Sequence, residues 1–237
     1  MLPRALIGDI KPENWLGFID AIYAIILTLL LIELPSQILE LIKAYESHPS
    51  FHVIIVNGFL ASVFGYLAMF VVIYDVWAHH RVAVVEATLN RMNLSLGILI
   101  LFLSSVLPPL YHVISVLKYE SLTNEISLSG VMANIFFYAR LALYLIAFVI
   151  YGSIALIAVK DLRFLRHMGG VANSSRMVAL KRLKSSSIAM MIVILTVSVL
   201  SFSGFITPPI PLVLIALCTH LPVDSQMIQL KRRIIGS

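Results

Sequence analysis

Long apolar stretches, separated by shorter polar segments, dominate this chain. A helix that crosses a ~30 Å hydrocarbon core needs about 20 mostly apolar residues. Six stretches qualify as spans: residues 14–34, 52–78, 93–117, 128–159, 187–205 and 208–221. The pattern therefore predicts an all-α membrane protein in which residues 1–237 form a single six-helix transmembrane domain.

The connections between the stretches predict three further features. The fourth stretch is longer than a bilayer requires, so we expect it to tilt or to begin outside the hydrocarbon. The last two stretches nearly touch at residues 206–209, where Pro208 and Pro209 block helix continuation and predict a tight hairpin. Residues 160–186 are the longest connection, and the Gly169-Gly170 and Ser174-Ser175 pairs within it predict a flexible basic loop.

Composition agrees with a lipid environment. Hydrophobic residues make up 60 % of the chain and charged residues 12 %, whereas a soluble domain carries about 25 % charged residues. The net charge of +5 does not indicate a nucleic-acid partner, because no basic stripe with interleaved aromatic residues lies on a soluble domain. Cys218 is the single cysteine, so no internal disulfide is expected.

The basic residues fall mainly on one side of the predicted spans. The N-terminal tail, the second and fourth loops and the C-terminal tail carry almost all of the 17 Lys and Arg residues, whereas the other side has only Lys43 and Lys118. The positive-inside rule then places both termini in the cytoplasm. We expect a multi-pass protein of the cell membrane, which in a bacterium is the inner membrane.

Several polar residues lie at one membrane level, near the cytoplasmic ends of spans one to three. They are Asp20, Trp77, His79, His80 and Asn93. Polar side chains at such depth usually face a bundle interior or water. We therefore predict a hydrogen-bonded network that links Asp20, Trp77 and one of the histidines. No metal site is expected, because adjacent histidines point about 100° apart on a helix and no cysteine or carboxylate set accompanies them.

Span one also carries a regular apolar stripe. Ile25, Leu29 and Ile32 fall on one helix face at positions i, i+4 and i+7, with Thr28 beside them. If this helix lined a pore, the stripe would form hydrophobic constrictions with one hydroxyl layer. The same spacing occurs in many spanning helices, so periodicity alone leaves both interpretations open.

Two charged side chains complete the set of candidates. Glu33 ends span one at the outer face, where an acidic ring at a pore mouth would attract cations and where an ordinary solvated helix end is also expected. Arg140 lies near mid-depth in span four and needs a carboxylate, backbone carbonyls or water as its partner. The sequence does not identify that partner.

Three motifs resemble a known family. They are Phe18-Ile19-Asp20 followed by an apolar helix with Thr28, the run Trp77-Ala78-His79-His80-Arg81, and Asn93 at the start of a helix that reaches Leu107-Pro108. Together they are similar to the bacterial single-repeat relatives of the lysosomal potassium channel, transmembrane protein 175. The resemblance implies four subunits around a pore lined by span one, with Ile25, Leu29 and Ile32 as gates and Thr28 as the selectivity layer. It also implies a channel without a carbonyl selectivity filter.

The chain departs from that family at two positions. Asn14 stands where the family has an arginine, and Ile19 where it has a serine. The family's arginine and aspartate belong to a network that holds the first helices in place. Asp20 therefore lacks that cationic partner here, and the candidates to replace it are a neighbouring histidine and Arg81.

The function predicted from these features is passive conduction of K⁺ by a potassium-selective or weakly selective cation channel. The expected partners are further copies of the chain, as a homotetramer, together with the lipid bilayer and monovalent cations; no cofactor is expected. The alternative is a proton-coupled or small-solute transporter in which Asp20 and His80 relay protons. An enzyme is not expected, because Ser104 and Ser105 have no evident base.

Overall fold

The computed structural model describes residues 12–47, 52–88, 90–123, 130–167, 174–206 and 210–219. Almost all of these residues are helical, and no strand occurs among them. The helices are α1 (Pro12–Ser47), α2 (His52–Glu86), α3 (Arg91–Thr123), α4 (Gly130–His167), α5 (Ser174–Phe202) and the short α6 (Ile210–Thr219). The all-α class predicted from the sequence is confirmed.

Five of these helices, α1 to α5, are long and apolar enough to cross a membrane. The predicted sixth span contains α6, which has the composition of a span but is shorter than a bilayer crossing. Both flanks of α6, the predicted hairpin prolines at 208 and 209 and the two tails lie outside the described residues. The sixth span and the cytoplasmic termini therefore stay predictions.

The second helix is the centre of the bundle. It packs against α1, α3, α4 and α5, whereas α1 packs chiefly against α2 and α3. On α1 the buried residues are Ile19, Tyr23, Ile26 and Leu30, which recur at the spacing of a single helix face. One side of α1 is thus fixed in the protomer, and its other side is left uncovered by helices α2 to α6 as far as they are described.

The long helices all run beyond the spans that the sequence predicted. α1 continues through Pro35 to Ser47, and α2 continues past Ala78 to Glu86. A proline removes one backbone hydrogen bond, but spanning helices tolerate it when nearby side chains satisfy the freed groups. Pro35 leaves the carbonyl of Leu31 without its usual helical donor, and the neighbouring Ser36 hydroxyl donates a 2.8 Å hydrogen bond to a different carbonyl, that of Glu33.

The flexible loop predicted for residues 160–186 is wrong over most of its length. α4 extends to His167 and α5 begins at Ser174, so only the short segment between them, which includes Gly169-Gly170, lies outside the described residues. The buried leucines of this region, Leu162, Leu165, Leu180 and Leu183, explain the error. They recur every three residues among basic residues, which is the pattern of an amphipathic helix rather than of a loop.

Arg140 forms hydrogen bonds with a residue of α5. Its guanidinium donates to the carbonyl of Ser201 at 2.8 Å and also bonds the Ser201 hydroxyl. The guanidinium carbon lies 5.3 Å from the ring centroid of Phe136 and 5.0 Å from that of Phe202. A backbone carbonyl was one of the partners that the sequence left open, and the two aromatic rings add a cation–π contribution.

Candidate functional site

The apolar stripe of α1 lies on the side that none of the other described helices covers. Ile25, Leu29 and Ile32 are 59 %, 51 % and 64 % exposed, within one sector about 60° wide around the helix. The buried face, which includes Tyr23 and Ile26, lies about 120° away around the same helix. The three side chains are therefore available to lipid or to another copy of the chain.

Thr28 is also exposed, and its hydroxyl has a defined orientation. The hydroxyl donates a 2.7 Å hydrogen bond to the carbonyl of Ala24, one turn earlier. Because its proton is used in this way, the oxygen lone pairs remain as acceptors on the outer surface of the helix. A ring of such oxygens between apolar rings could contact a partly hydrated cation, whereas the apolar rings could gate by dewetting.

Glu33 is half-buried at the end of this stripe and turns towards α3. Its carboxylate oxygen Oε2 lies 3.6 Å from Nδ1 of His112, and the same Nδ1 lies 3.3 Å from the hydroxyl of Tyr66. Glu33 therefore has a contact within the protomer. Its predicted place at a pore mouth stays a prediction.

Asp20 joins α1 to the end of α2. Nε1 of Trp77 donates a 2.7 Å hydrogen bond to Oδ1 of Asp20, and Nη1 of Arg81 lies 3.7 Å from Oδ2. The Arg81 guanidinium also lies 5.5 Å from the centroid of the Trp77 ring. Of the two candidate replacements for the family's arginine at Asn14, Arg81 is the one that pairs with Asp20.

His80 belongs to a separate contact between three helices. Its Nδ1 lies 3.4 Å from the hydroxyl of Tyr23 on α1, and that hydroxyl lies 3.2 Å from the hydroxyl of Ser104 on α3. The other ring nitrogen faces Gly97, where an added Cβ would approach to 3.2 Å. A larger residue at Gly97 would require this fully buried ring to shift by a few tenths of an ångström.

His79 points the other way, towards α4 and α5. Its Nδ1 lies 3.2 Å from the carboxylate of Asp75, and its Nε2 lies 2.7 Å from the hydroxyl of Ser186 on α5. Tyr151 of α4 donates a 2.5 Å hydrogen bond to the same carboxylate of Asp75. The adjacent histidines thus contact different helices of the bundle, in agreement with their separation of about 100° around α2.

Asn93 reaches a fourth group of polar residues, centred on Asp161 of α4. Nδ2 of Asn93 donates to Oδ1 of Asp161 at 3.1 Å, and the backbone N–H and hydroxyl of Thr88 both donate to Oδ2. Arg176 of α5 lies 3.7 Å from Oδ2 and also bonds the carbonyl of Glu86. Asp161 therefore fixes the connection between α2 and α3 to the ends of α4 and α5.

The five polar residues that the sequence places at one membrane level thus lie in four separate groups. Asp20 bonds Trp77 as expected, but neither histidine joins that pair. The partners that the sequence did not assign to these polar residues are Tyr23, Ser104, Tyr151, Arg176, Ser186 and Asp161. Of these partners, only Asp161 could have been predicted from the sequence, because it is a lone acidic residue in a basic segment whose leucines are buried. Among the described residues, no group of three or more His, Cys, Asp and Glu side chains is placed to hold a metal ion.

Part of this chain matches a known protein family. Residues 16–108, which run from near the start of α1 to the middle of α3, match the family of the endosomal/lysosomal potassium channel TMEM175. The resemblance noted from the three motifs is thereby confirmed, and the matched segment contains all the candidate residues of spans one to three. No match was found among curated proteins or solved structures. The five long apolar helices and the match of residues 16–108 to a potassium channel family together support a multi-pass membrane protein.

We expect Trp77→Phe to loosen the contact between α1 and α2. The substitution keeps an aromatic ring but removes the N–H that bonds the Asp20 carboxylate, a loss of about 1 kcal/mol for this partly exposed pair. For a chain of this size that corresponds to a fall in Tm of about 2–4 °C, measurable by thermal unfolding in detergent. Trp15→Phe is the matched control, because Trp15 stacks on Phe18 without bonding a carboxylate. Equal effects of the two substitutions would contradict the assigned role of Trp77.

Asp161 and Arg176 should act as a coupled pair. We expect Asp161→Asn and Arg176→Gln each to lower the free energy of unfolding, Asp161→Asn by about 2 kcal/mol or more because it disturbs several bonds to a buried carboxylate. The double variant should lose less than the sum of the two, with a coupling energy of about 0.5–3 kcal/mol. Additive losses in a double-mutant cycle would show that the two side chains do not interact.

Proposed function

We propose that this protein, whose residues 16–108 belong to the TMEM175 potassium channel family, is a cation channel with a pore lined by α1 from four subunits. The conducted ion is K⁺, it moves passively down its gradient, and no cofactor takes part. Ile25, Leu29 and Ile32 are the hydrophobic narrowings of this pore, and Thr28 is its polar layer.

The observation that carries the proposal is the division of α1 into two faces. One face is buried against α2 and α3, and the opposite face presents the regular apolar stripe outside the protomer. A single protomer has one such stripe, so a closed lumen requires several copies of α1 around a common axis. The family match covers most of α1, all of α2 and the first half of α3, which form and hold this face.

Selectivity in such a pore is expected to be modest. The sequence has no Thr-Val-Gly-Tyr-Gly segment, so K⁺ would not pass through stacked rings of backbone carbonyls. One hydroxyl per subunit at Thr28 offers a single ring of weak oxygen ligands. Such a ring can favour the more easily dehydrated K⁺ over Na⁺, but less strongly than a multi-site filter does.

The transporter alternative has no observation of its own to support it. Transporters often bind substrate at helices that break near the bilayer midplane. Throughout the described ranges, α1 to α5 are each continuous, and α1 runs unbroken past Pro35. The matched family is a family of ion channels, and ion channels are not a class of enzyme.

We expect Ile25→Asn to raise K⁺ flux in proteoliposomes several-fold, because a polar amide in an apolar narrowing removes the barrier to hydrated ions. The matched control is Leu31→Asn. Leu31 is on the same helix and 53 % exposed, close to the 59 % of Ile25, but it lies about 120° away around the helix axis. The control should leave K⁺ flux at the wild-type level, as measured against empty liposomes and with valinomycin as the upper limit.

A rise in flux with Leu31→Asn as large as with Ile25→Asn would contradict the assigned pore face. In that case any polar residue on the outer surface of α1 would cause leakage. An unchanged flux with Ile25→Asn, in protein whose wild type conducts K⁺, would remove Ile25 from the pore.

The second prediction concerns Thr28. We expect Thr28→Val, which keeps the shape of the side chain and removes the hydroxyl, to lower the ratio of K⁺ to Na⁺ flux. Thr196→Val on α5 is the matched control, because its exposed hydroxyl makes the same bond to a carbonyl one turn earlier, at 2.9 Å from Ile192. The control should leave the ratio unchanged. A ratio that is equal in all three proteins would exclude Thr28 as the selectivity layer.

A further inference from the structure

The basic side chains at the shared end of α4 and α5 divide into two groups. Lys160 and Arg176 turn inward, where Lys160 donates to Asn90 at 2.9 Å and Arg176 pairs with Asp161. Arg163, Lys181 and Lys184 are exposed instead, and within the described ranges no acidic side chain pairs with them. The three outward side chains are therefore not used in the ion pairs that join the described helices.

On α5 the two lysines continue a lipid-facing stripe. Ile188, Ile192, Leu195 and Val199 are all exposed and recur at the spacing of one helix face. Lys184 and Lys181 lie on the same face, four and seven residues before Ile188. This one face of α5 is thus apolar along most of its length and basic at the end that carries Lys181 and Lys184.

On α4 the same change takes place at Arg163. Leu145, Val149 and Leu156 are exposed along one face, and Arg163 follows Leu156 by seven residues, or two turns. α4 and α5 are extensively packed against each other and both are helical across this region. The three basic groups are consequently carried by two rigid, adjacent helices rather than by the flexible loop that the sequence indicated.

Their distance from the apolar stripes corresponds to the phospholipid headgroups. At 1.5 Å per residue, Lys184 lies about 6 Å beyond Ile188, and Lys181 and Arg163 lie about 10 Å beyond the last apolar residue of their stripes. The headgroup layer of each leaflet is about 5–7 Å thick. Long Lys and Arg side chains also extend along the surface, so that their charges can reach a phosphate a few ångströms away.

We propose that Arg163, Lys181 and Lys184 form a binding site for the phosphate of an anionic phospholipid in the leaflet that this end of the bundle faces. The guanidinium of Arg163 can bind phosphate oxygens in a bidentate manner, and the two ammonium groups act as point charges. The exposed stripes above them receive the acyl chains. This site is independent of the proposed pore, because it lies on helices outside the matched segment.

The test is a lipid titration of the purified, delipidated full chain followed by native mass spectrometry. The probes are phosphatidylglycerol and phosphatidylcholine with identical acyl chains. We expect tighter binding of phosphatidylglycerol by the wild type and a loss of more than tenfold in that affinity when Arg163→Gln, Lys181→Gln and Lys184→Gln are combined. Phosphatidylcholine binding should be unchanged, and Lys181→Arg with Lys184→Arg should retain the preference.

The matched single-charge comparison is Lys184→Gln against Arg91→Gln. Arg91 is an exposed basic residue at the start of α3, on another helix. Lys184→Gln should weaken phosphatidylglycerol binding about fivefold, the effect of about 1 kcal/mol per basic residue, whereas Arg91→Gln should not.

Three outcomes would overturn the proposal. Equal affinity of the wild type for the two lipids would mean that no anionic headgroup is recognised. Equal loss with Arg91→Gln would indicate general surface charge rather than a site. Displacement of the lipid by an equal concentration of free glycerol phosphate would assign the site to a soluble phosphate compound. The thermal unfolding of the triple variant in lipid-free detergent should match the wild type, which separates lost binding from lost folding.

Discussion

Each of the other long helices, α1, α3, α4 and α5, is joined to α2 by a side-chain hydrogen bond. The lipid tails around helices in a bilayer are as apolar as the side chains, so the hydrophobic effect does not drive helix association, and packing together with interhelical hydrogen bonds has to do so. The bonds from α2 are Trp77 to Asp20 on α1, Tyr66 to His112 on α3, Asp75 to Tyr151 on α4, and His79 to Ser186 on α5. Together they fix which face of each helix is inside.

The uncovered face of α1 follows from this arrangement. Asp20 and Tyr23 bind α1 to the bundle on one side, so the stripe of Ile25, Leu29 and Ile32 has to face outward. Asp161 of α4 also holds α2 and α3 in place, because it links the segment that connects them to α4 and α5. α4 and α5, which lie outside the segment that matches the channel family, thus hold the helices within that segment. We infer that the position of the proposed pore face depends on both groups of helices.

The sequence predicted the elements that depend on local pattern. Apolar length identified α1 to α5, and the motif around Asp20 and Trp77 predicted a bond that the structure contains. The sequence did not predict bonds between residues far apart in the chain, such as His79 with Ser186 or Thr88 with Asp161, because no local spacing encodes them. It also misassigned residues 160–186 as a loop, since charged residues lower the hydropathy of a helix without preventing its buried leucines from packing.

The central claim is that the stripe of α1 faces copies of itself across a pore, and cysteine cross-linking tests it most directly. In a Cys218→Ser background, Leu29→Cys places a thiol within the stripe, and Leu31→Cys places one on the same helix outside it. Under mild oxidation in liposomes, the account predicts disulfide-linked dimers of the Leu29→Cys protein and few or none of the Leu31→Cys protein. Cross-linking of Leu31→Cys alone, or of neither protein, would contradict it.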